Sequence, residues 1–209
     1  MLMEQIPVGG MRNFAYIFGT REGGEGVIVD PGFDGDKIVE TAKRLKLNIT
    51  RIILTHHHFD HVSAASAVKT RTGAKILAHP ETERLLEGAA ALDGKLVDGD
   101  SFSLEPTEGV VKIIHTPGHA PGSICLVVDD KWLITGDTLF IGNCGRTDLP
   151  GGDAKTLFNS LQKLKKLPDE LILLTGHDYG PAQRRTLGEE KRLNPVLSAP
   201  SFEIFDSLL

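Results

Sequence analysis

RIILTHHHFDHVSA, residues 51–64, places four of the chain's eight histidines and an aspartate within six residues, directly behind a short apolar run. RIIL (51–54) has the β-branched character of a buried strand, and DHVSAASAVKTRT (60–72) reads as a small-residue helix stopping at Gly73. The histidines therefore fall where a strand gives way to a helix. In extended chain His56 and His58 share one face, while His57 and Phe59 point away from it. The turn into the helix near Asp60 swings Asp60 and His61 to a neighbouring position. Such a hexapeptide offers two imidazoles to one ion and a carboxylate plus an imidazole to another.

Three further apolar runs close in the same manner. VVKIIH (110–115) passes through threonine to PGH and His119. KWLI (131–134) passes through threonine to GD and Asp137, and LILL (171–174) through threonine to GH and His177. Loops at strand ends are held rigidly by the packed strands, which is why ligand sites gather there. Four similarly finished strands predict one site, with His119 and His177 each completing a half-site and Asp137 bridging the halves. This nitrogen and oxygen donor set suits Zn²⁺, and also Fe²⁺ or Mn²⁺, better than copper–thiolate or calcium chemistry. Two such ions roughly 3.5–4 Å apart lower the pKa of a shared water to about 7, which makes a nucleophile at neutral pH.

The remaining sequence supplies the frame. The chain has 209 residues, 40% apolar and 24% charged, with a formal charge of −5, and a mean hydropathy of −0.08. That is ordinary for a globular protein, and one domain over 1–209 is expected. No run of lysine and arginine is dense enough to track a phosphate backbone, which argues against nucleic acid as a partner. No apolar stretch approaches the roughly 18 residues of a membrane span. MLMEQIPVGG has neither the basic nor the apolar region of a signal peptide, and two cysteines make no disulfide framework. A cytoplasmic setting is the expectation. Strands are predicted at NFAYIFG (13–19), EGVIVD (25–30), AKILA (74–78), DSFSL (100–104) and SICLVVD (123–129), with Asp129-Asp130 as a hairpin turn. Helices are predicted over 34–47, 80–90 and 153–167, with one or two more around 186–194 and 200–208. This mixture points to a layered α/β domain.

Plainer roles stand beside the chemical ones. Isolated histidines usually serve packing or the surface, and His79 and His115 are assigned so. His57 is expected to face away from the ions or to support a ligand from behind, and not to bind metal itself. Cys125 belongs to a strand core, whereas Cys144 falls in the loop after Asp137, near the expected metal site. Arg184, Arg185, Lys191 and Arg192 read as a solvated helical face.

Together THHHFDH, PGH, TGD and TGH resemble the signature of the metallo-β-lactamase superfamily, in the order that family keeps. The resemblance spans nearly the whole chain, from NFAYIF and VDPG to the tail. It implies a four-layer αββα sandwich of the α/β (or α+β) class, with two mixed sheets face to face, helices outside and metals at one edge. Asp30 in VDPG matches a position that orients a metal ligand from behind. Within the superfamily the chain looks most like glyoxalase II-like proteins, the hydroxyacylglutathione hydrolase group. That likeness implies His56, His58 and His119 on one metal, Asp60, His61 and His177 on the other, and Asp137 on both. The implied reaction is attack of a metal-bridging hydroxide on the carbonyl of a small thioester, with Asp60 hydrogen-bonded to the nucleophile. Glutathione is the thiol such relatives use, but their longer C-terminal domain has only an abbreviated counterpart in the 32 residues after His177.

CGRTD (144–148) and GHDY (176–179) also resemble persulfide dioxygenases, a related branch with one iron. There His56, His119 and Asp137 would form a two-histidine, one-carboxylate face on a single Fe²⁺, open to oxygen and to a thiol persulfide such as glutathione persulfide. Arg146 would pair with Asp178, and Tyr179 would touch the substrate. LPGGD (149–153) and the complete second ligand set look more like the short hydrolases.

Overall fold

The structure, a computed structural model, describes residues 1–105 and 109–209. Its first sheet runs in sequence order through β1 (Leu2–Val8), β2 (Asn13–Gly19), β3 (Glu25–Val29), β4 (Asn48–Ile53), β5 (Lys75–Ala78) and β6 (Gly94–Lys95). β1, β2 and β3 are antiparallel, whereas β3 to β6 are parallel. The chain continues through β7 (Ser101–Ser103), β8 (Val110–His115), β9 (Ile124–Val128) and β10 (Trp132–Gly136). A hairpin of β11 (Leu139–Phe140) and β12 (Asn143–Cys144) follows, then β13 (Ile172–Thr175) and β14 (Arg185–Thr186). Apart from the hairpin these form the second sheet, in the order β14-β13-β10-β9-β8-β7, with β10 and β13 parallel.

The alternation of side chains along a strand explains the layering. β2 sends Phe14, Tyr16 and Phe18 toward the second sheet and Ala15 and Ile17 toward the helices α1 (Gly35–Arg44) and α3 (Ala65–Thr72). β9 and β10 send Ile124, Leu126, Val128 and Ile134 inward. Their alternate residues Cys125, Val127 and Leu133 meet Leu157, Leu161 and Leu164 of α5 (Ala154–Leu164). Three apolar layers thus separate helix, sheet, sheet and helix, which is the expected αββα sandwich. Strands covered on both faces need apolar residues at every position, and β2, β9 and β10 are buried throughout. Tyr16 ties the sheets directly, its hydroxyl donating to the Thr175 carbonyl (2.5 Å).

Several elements differ from expectation for identifiable reasons. β1 lacks a clean sequence signal because it is an edge strand carrying Pro7, which only an edge tolerates. The helix expected over 60–72 is two pieces, α2 (Phe59–Val62) and α3, because the Ala64 N–H donates to the Pro31 carbonyl (3.0 Å) of the VDPG loop. The helix expected over 80–90 is the shorter α4 (Pro80–Leu85), capped by the His79 ring. Asp129 and Asp130 do form the hairpin turn, with φ of 57° and 46°. Among the described residues no helix is long and apolar enough to cross a membrane.

The C-terminal helices α6 (Leu187–Leu193), α7 (Pro195–Ser198) and α8 (Phe202–Asp206) cover the second sheet, and their buried polar groups hold the β11–β12 hairpin. Glu190, fully buried, accepts from the Gly142 N–H (2.7 Å) and Asn194 Nδ2 (3.0 Å) and pairs with Arg185 (3.3 Å). Asn194 Nδ2 donates in turn to the Phe140 and Asn143 carbonyls, both at 3.1 Å. Far from being a free solvated face, Arg185 and Lys191 are engaged, the latter with the Leu167 carbonyl (2.6 Å). Glu190→Ala strands these partners in the interior and should lower stability by about 3–5 kcal/mol, read as a fall in the urea midpoint. Lys166→Ala on the surface should leave that midpoint unchanged.

Candidate metal centre

The centre is assembled from the ends of two parallel strand pairs, one in each sheet. After β3 the chain places Asp30, whose carboxylate accepts from the Thr55 N–H (2.7 Å) and hydroxyl (2.6 Å) after β4. That fastens the start of the histidine hexapeptide to its neighbour. His58 then stands at the position just before α2, and the single turn buries Asp60 and His61. In the second sheet the Gly176 N–H donates to the Gly136 carbonyl (2.8 Å), which sets His177 beside Asp137. The Phe14 N–H donates to Gly176 (2.8 Å), joining the two sheets at this edge. The PGH loop rests on α5 and its cap, with Asp153 N–H and Ser160 hydroxyl donating to the Gly118 and Pro117 carbonyls. Approach is close enough that a Cβ on Gly176 would strike the Asp137 carboxylate and the His61 ring.

Acceptors behind the rings decide which nitrogen of each imidazole carries a proton. A carbonyl can only accept, so His177 Nδ1 donates to Met11 (3.0 Å) and His119 Nδ1 to Arg146 (2.8 Å). His61 Nδ1 donates to Asp30 Oδ2 (3.0 Å). Their Nε2 atoms are thereby turned inward. His61 Nε2 lies 3.2 Å from His177 Nε2, and His119 Nε2 lies 3.0 Å from His58 Nδ1. Asp137 reaches His177 (3.2 Å), His61 (3.4 Å) and His119 (3.7 Å), and Asp60 reaches His177 (3.4 Å). Donors bound at about 2.1 Å around a tetrahedral ion stand about 3.4 Å from one another, which is the spacing observed. His56 Nε2 and Asp137 Oδ1 are buried with no hydrogen-bond partner. His56, His58 and His119 form one group that could hold an ion, and Asp60, His61 and His177 another. The donor chemistry and the unsatisfied atoms fit divalent metal.

The two groups differ in charge character. Burial, reinforced by the surrounding imidazoles, holds His56 well below the usual histidine range and pushes His58 down to about 4. Burial opposes charge on His177 too, but hydrogen bonds to Asp137 and Asp60 outweigh it and push His177 up to about 10. His61 is raised as well, burial being overcome by Asp137 and Asp30. Burial works against ionising Asp137, yet His61 and His177 keep it below its ordinary value.

A third grouping, Asp30 with His56 and His61, also gathers ligand-type atoms. Thr55 and His61 Nδ1 already occupy the Asp30 oxygens, so Asp30 orients His61 and is not itself available. Asn13, buried at the head of β2, was missed by sequence reasoning. Its Nδ2 donates to the Asp60 carboxylate (2.9 Å) and carbonyl (3.1 Å). Nothing distinguishes it in NFAYIFG, because its partner lies 47 positions further along the chain.

The expected Arg146–Asp178 pair is absent. The Arg146 guanidinium binds Asp148 through two 2.6 Å contacts, a partner two residues away on the same loop. Asp178 instead faces Gln183 (3.4 Å). Tyr179 stacks on His177, with centroids 4.4 Å apart and planes 11° apart, and its hydroxyl donates to the Met11 carbonyl (3.3 Å). Above the two groups opens a cleft of about 650 Å³, lined by His57, Cys144, Arg146 and Tyr179 among others. His57 thus belongs to neither group but still faces the cleft. Burial pushes the Cys144 thiol up to about 12, so it stays protonated at neutral pH. His79 and His115 stack on each other away from this cleft, with centroids 3.9 Å apart.

Comparison with known proteins agrees with this geometry. The family described as the metallo-beta-lactamase superfamily matches residues 8–177. Hydroxyacylglutathione hydrolase GloC of Haemophilus influenzae is 33% identical over 96% of this chain and 100% of its own. The crystal structure of ETHE1 from Myxococcus xanthus superposes with a TM-score of 0.88 at 30% identity, over 100% of this chain and 89% of that one. A crystal structure of TTHA1623 in a di-iron-bound form gives 0.78 at 33% identity, over 92% of this chain and 98% of that one. Because the family match begins at Val8 and ends on His177, the last of the converging side chains, it takes in the whole centre, and this chain belongs to the metallo-beta-lactamase superfamily, among its hydroxyacylglutathione hydrolase-like members.

Proposed function

We propose that residues 1–209 act as one catalytic domain, a glyoxalase II-like hydrolase of small thioesters that holds two divalent ions in a reducing, cytoplasmic setting. His56, His58 and His119 would hold one ion, Asp60, His61 and His177 the other, and Asp137 both. The observation that carries this reading is the pair of donor groups, buried but for the half-buried His58, lying side by side on Asp137 at the foot of one cleft. The di-iron form of the similar TTHA1623 supports the count, and the likeness to a hydroxyacylglutathione hydrolase supports the reaction. Zinc, iron or manganese bound there supplies a water of lowered pKa and a Lewis acid for the carbonyl oxygen.

The chain's own groups do the rest. Asp30 and the Met11 and Arg146 carbonyls keep Nδ1 protonated on three rings, which leaves each Nε2 free to ligate. Asn13 holds the Asp60 carboxylate in place to take the proton of the attacking water. Phe140 and Ile141 keep bulk water from one side of the cleft, and Tyr179 and Arg146 stand where substrate would touch. Water oxygen bonds to the acyl carbon, the C–S bond breaks with its electron pair on sulfur, and carboxylate and thiol leave.

A second reading draws on CGRTD and GHDY and on the likeness to ETHE1. It keeps one iron on His56, His119 and Asp137 and oxidises a thiol persulfide. Asp178, placed beside Gln183 and not Arg146, removes one of its supports.

Metal-loaded protein should hydrolyse thioesters such as S-lactoylglutathione with two ions per chain by mass spectrometry. Oxygen uptake with glutathione persulfide at one iron per chain would replace this reading by the second. Asp137→Ala should empty the shared position and lower kcat/KM by roughly a hundredfold or more. Two ions still bound stoichiometrically to that variant would refute the ligand assignment. The groups should also differ in pH response. His177 keeps its proton up to about pH 10 in the metal-free chain, whereas His58 has lost its own above about pH 4. Binding at His177 therefore competes with protons, and equilibrium dialysis from about pH 8 to about pH 6 should remove that ion first.

A further inference from the structure

We propose that the groups flanking the scissile thioester are apolar and uncharged, so that glutathione conjugates are the poor substrates of this cleft. This deepens the thioesterase reading and rests on it. The first observation is the composition of the lining. Phe140, Ile141, Leu149 and Pro150 make its wall. Met11, Phe59 and Tyr179 stand at the same cleft while 43%, 61% and 51% exposed. Large apolar side chains left in water and gathered at one opening mark a surface made to be covered by apolar ligand.

The second observation is charge. Among the described residues, no lysine lines the cleft, and the one arginine there, Arg146, is already paired with Asp148 through a two-pronged contact. Arg12 stands over the Tyr179 ring, 5.9 Å from its centroid, and is outside the lining. Glutathione carries two carboxylates and two peptide units, which need cations or backbone partners when removed from water.

The third observation concerns those backbone partners. Three main-chain groups of the β11–β12 wall are engaged by the C-terminal helices, where Glu190 takes the Gly142 N–H and Asn194 takes the Phe140 and Asn143 carbonyls. Of the side chains this wall presents, Phe140 and Ile141 are hydrocarbon, and the Asn143 amide oxygen already accepts from the Cys144 N–H (2.8 Å). The reaction itself is unchanged: water adds oxygen to the acyl carbon, sulfur departs with the C–S electron pair and is protonated, and no oxidant is consumed.

The test uses fully metal-loaded, full-length protein with two neutral probes, the butyryl and benzoyl thioesters of N-acetylcysteamine, against S-lactoylglutathione. At least one neutral probe should exceed lactoylglutathione in kcat/KM by about tenfold or more, mainly through KM. Leu149→Arg, which places a cation on the wall, should narrow that ratio by raising turnover of the glutathione thioester. Should this variant fail to fold, product inhibition of the wild type serves instead, and benzyl mercaptan should inhibit about tenfold more strongly than glutathione. Lactoylglutathione within tenfold of both neutral probes, or better, overturns the proposal while leaving the thioesterase reading intact. Failure of all three thioesters overturns both.

Discussion

His61 Nε2 and His177 Nε2 face each other across 3.2 Å, an approach that a cation between or upon them would satisfy. Neither ring can escape by changing tautomer, because Asp30 and the Met11 carbonyl hold the opposite nitrogens. In the metal-free chain a proton fills the need, which is the physical content of the raised His177 value. The fold thus holds an electrostatic demand of the kind that a bound cation, whether proton or divalent metal, relieves. Asp60 and Asp137 make the same demand from the carboxylate side.

That demand can be built only because two parallel strand pairs end at one edge. β3 and β4 deliver Asp30 and the hexapeptide, and β10 and β13 deliver Asp137 and His177. Parallel neighbours finish on the same side, so their following loops start within hydrogen-bond reach of each other. The shared apolar layer between the sheets, with Phe14, Tyr16, Ile134 and Leu174 in it, then presses the two loop sets together. The helices outside cover the other two faces, and α5 seats the loop that carries His119.

The sequence made the chemistry more legible than the architecture around it. Four apolar runs each closing on threonine before a histidine or aspartate carried the position of every donor now found at the centre. Strong period-two or fully apolar runs such as β2 and β9 were equally plain, as was the Asp129-Asp130 turn. What escaped was whatever depends on partners distant in sequence. Asn13 looks like any strand residue until Asp60 lies beside it. The Met11 and Arg146 carbonyls have no sequence signature, since every residue has one. Arg146 pairs with Asp148, two residues away on its own loop, and not with the Asp178 that the resemblance implies, because the nearer carboxylate wins the guanidinium. The break between α2 and α3 was hidden for a similar reason, the competing acceptor being Pro31.

The hairpin wall over the centre leans on the tail, because the Gly142 N–H and the Phe140 and Asn143 carbonyls are satisfied by Glu190 and Asn194. The face of the cleft formed by Phe140 and Ile141 therefore takes its position from helices that carry none of the histidine and aspartate donors. A substitution in the tail that shifts the hairpin would reshape the cleft while leaving those donors in place.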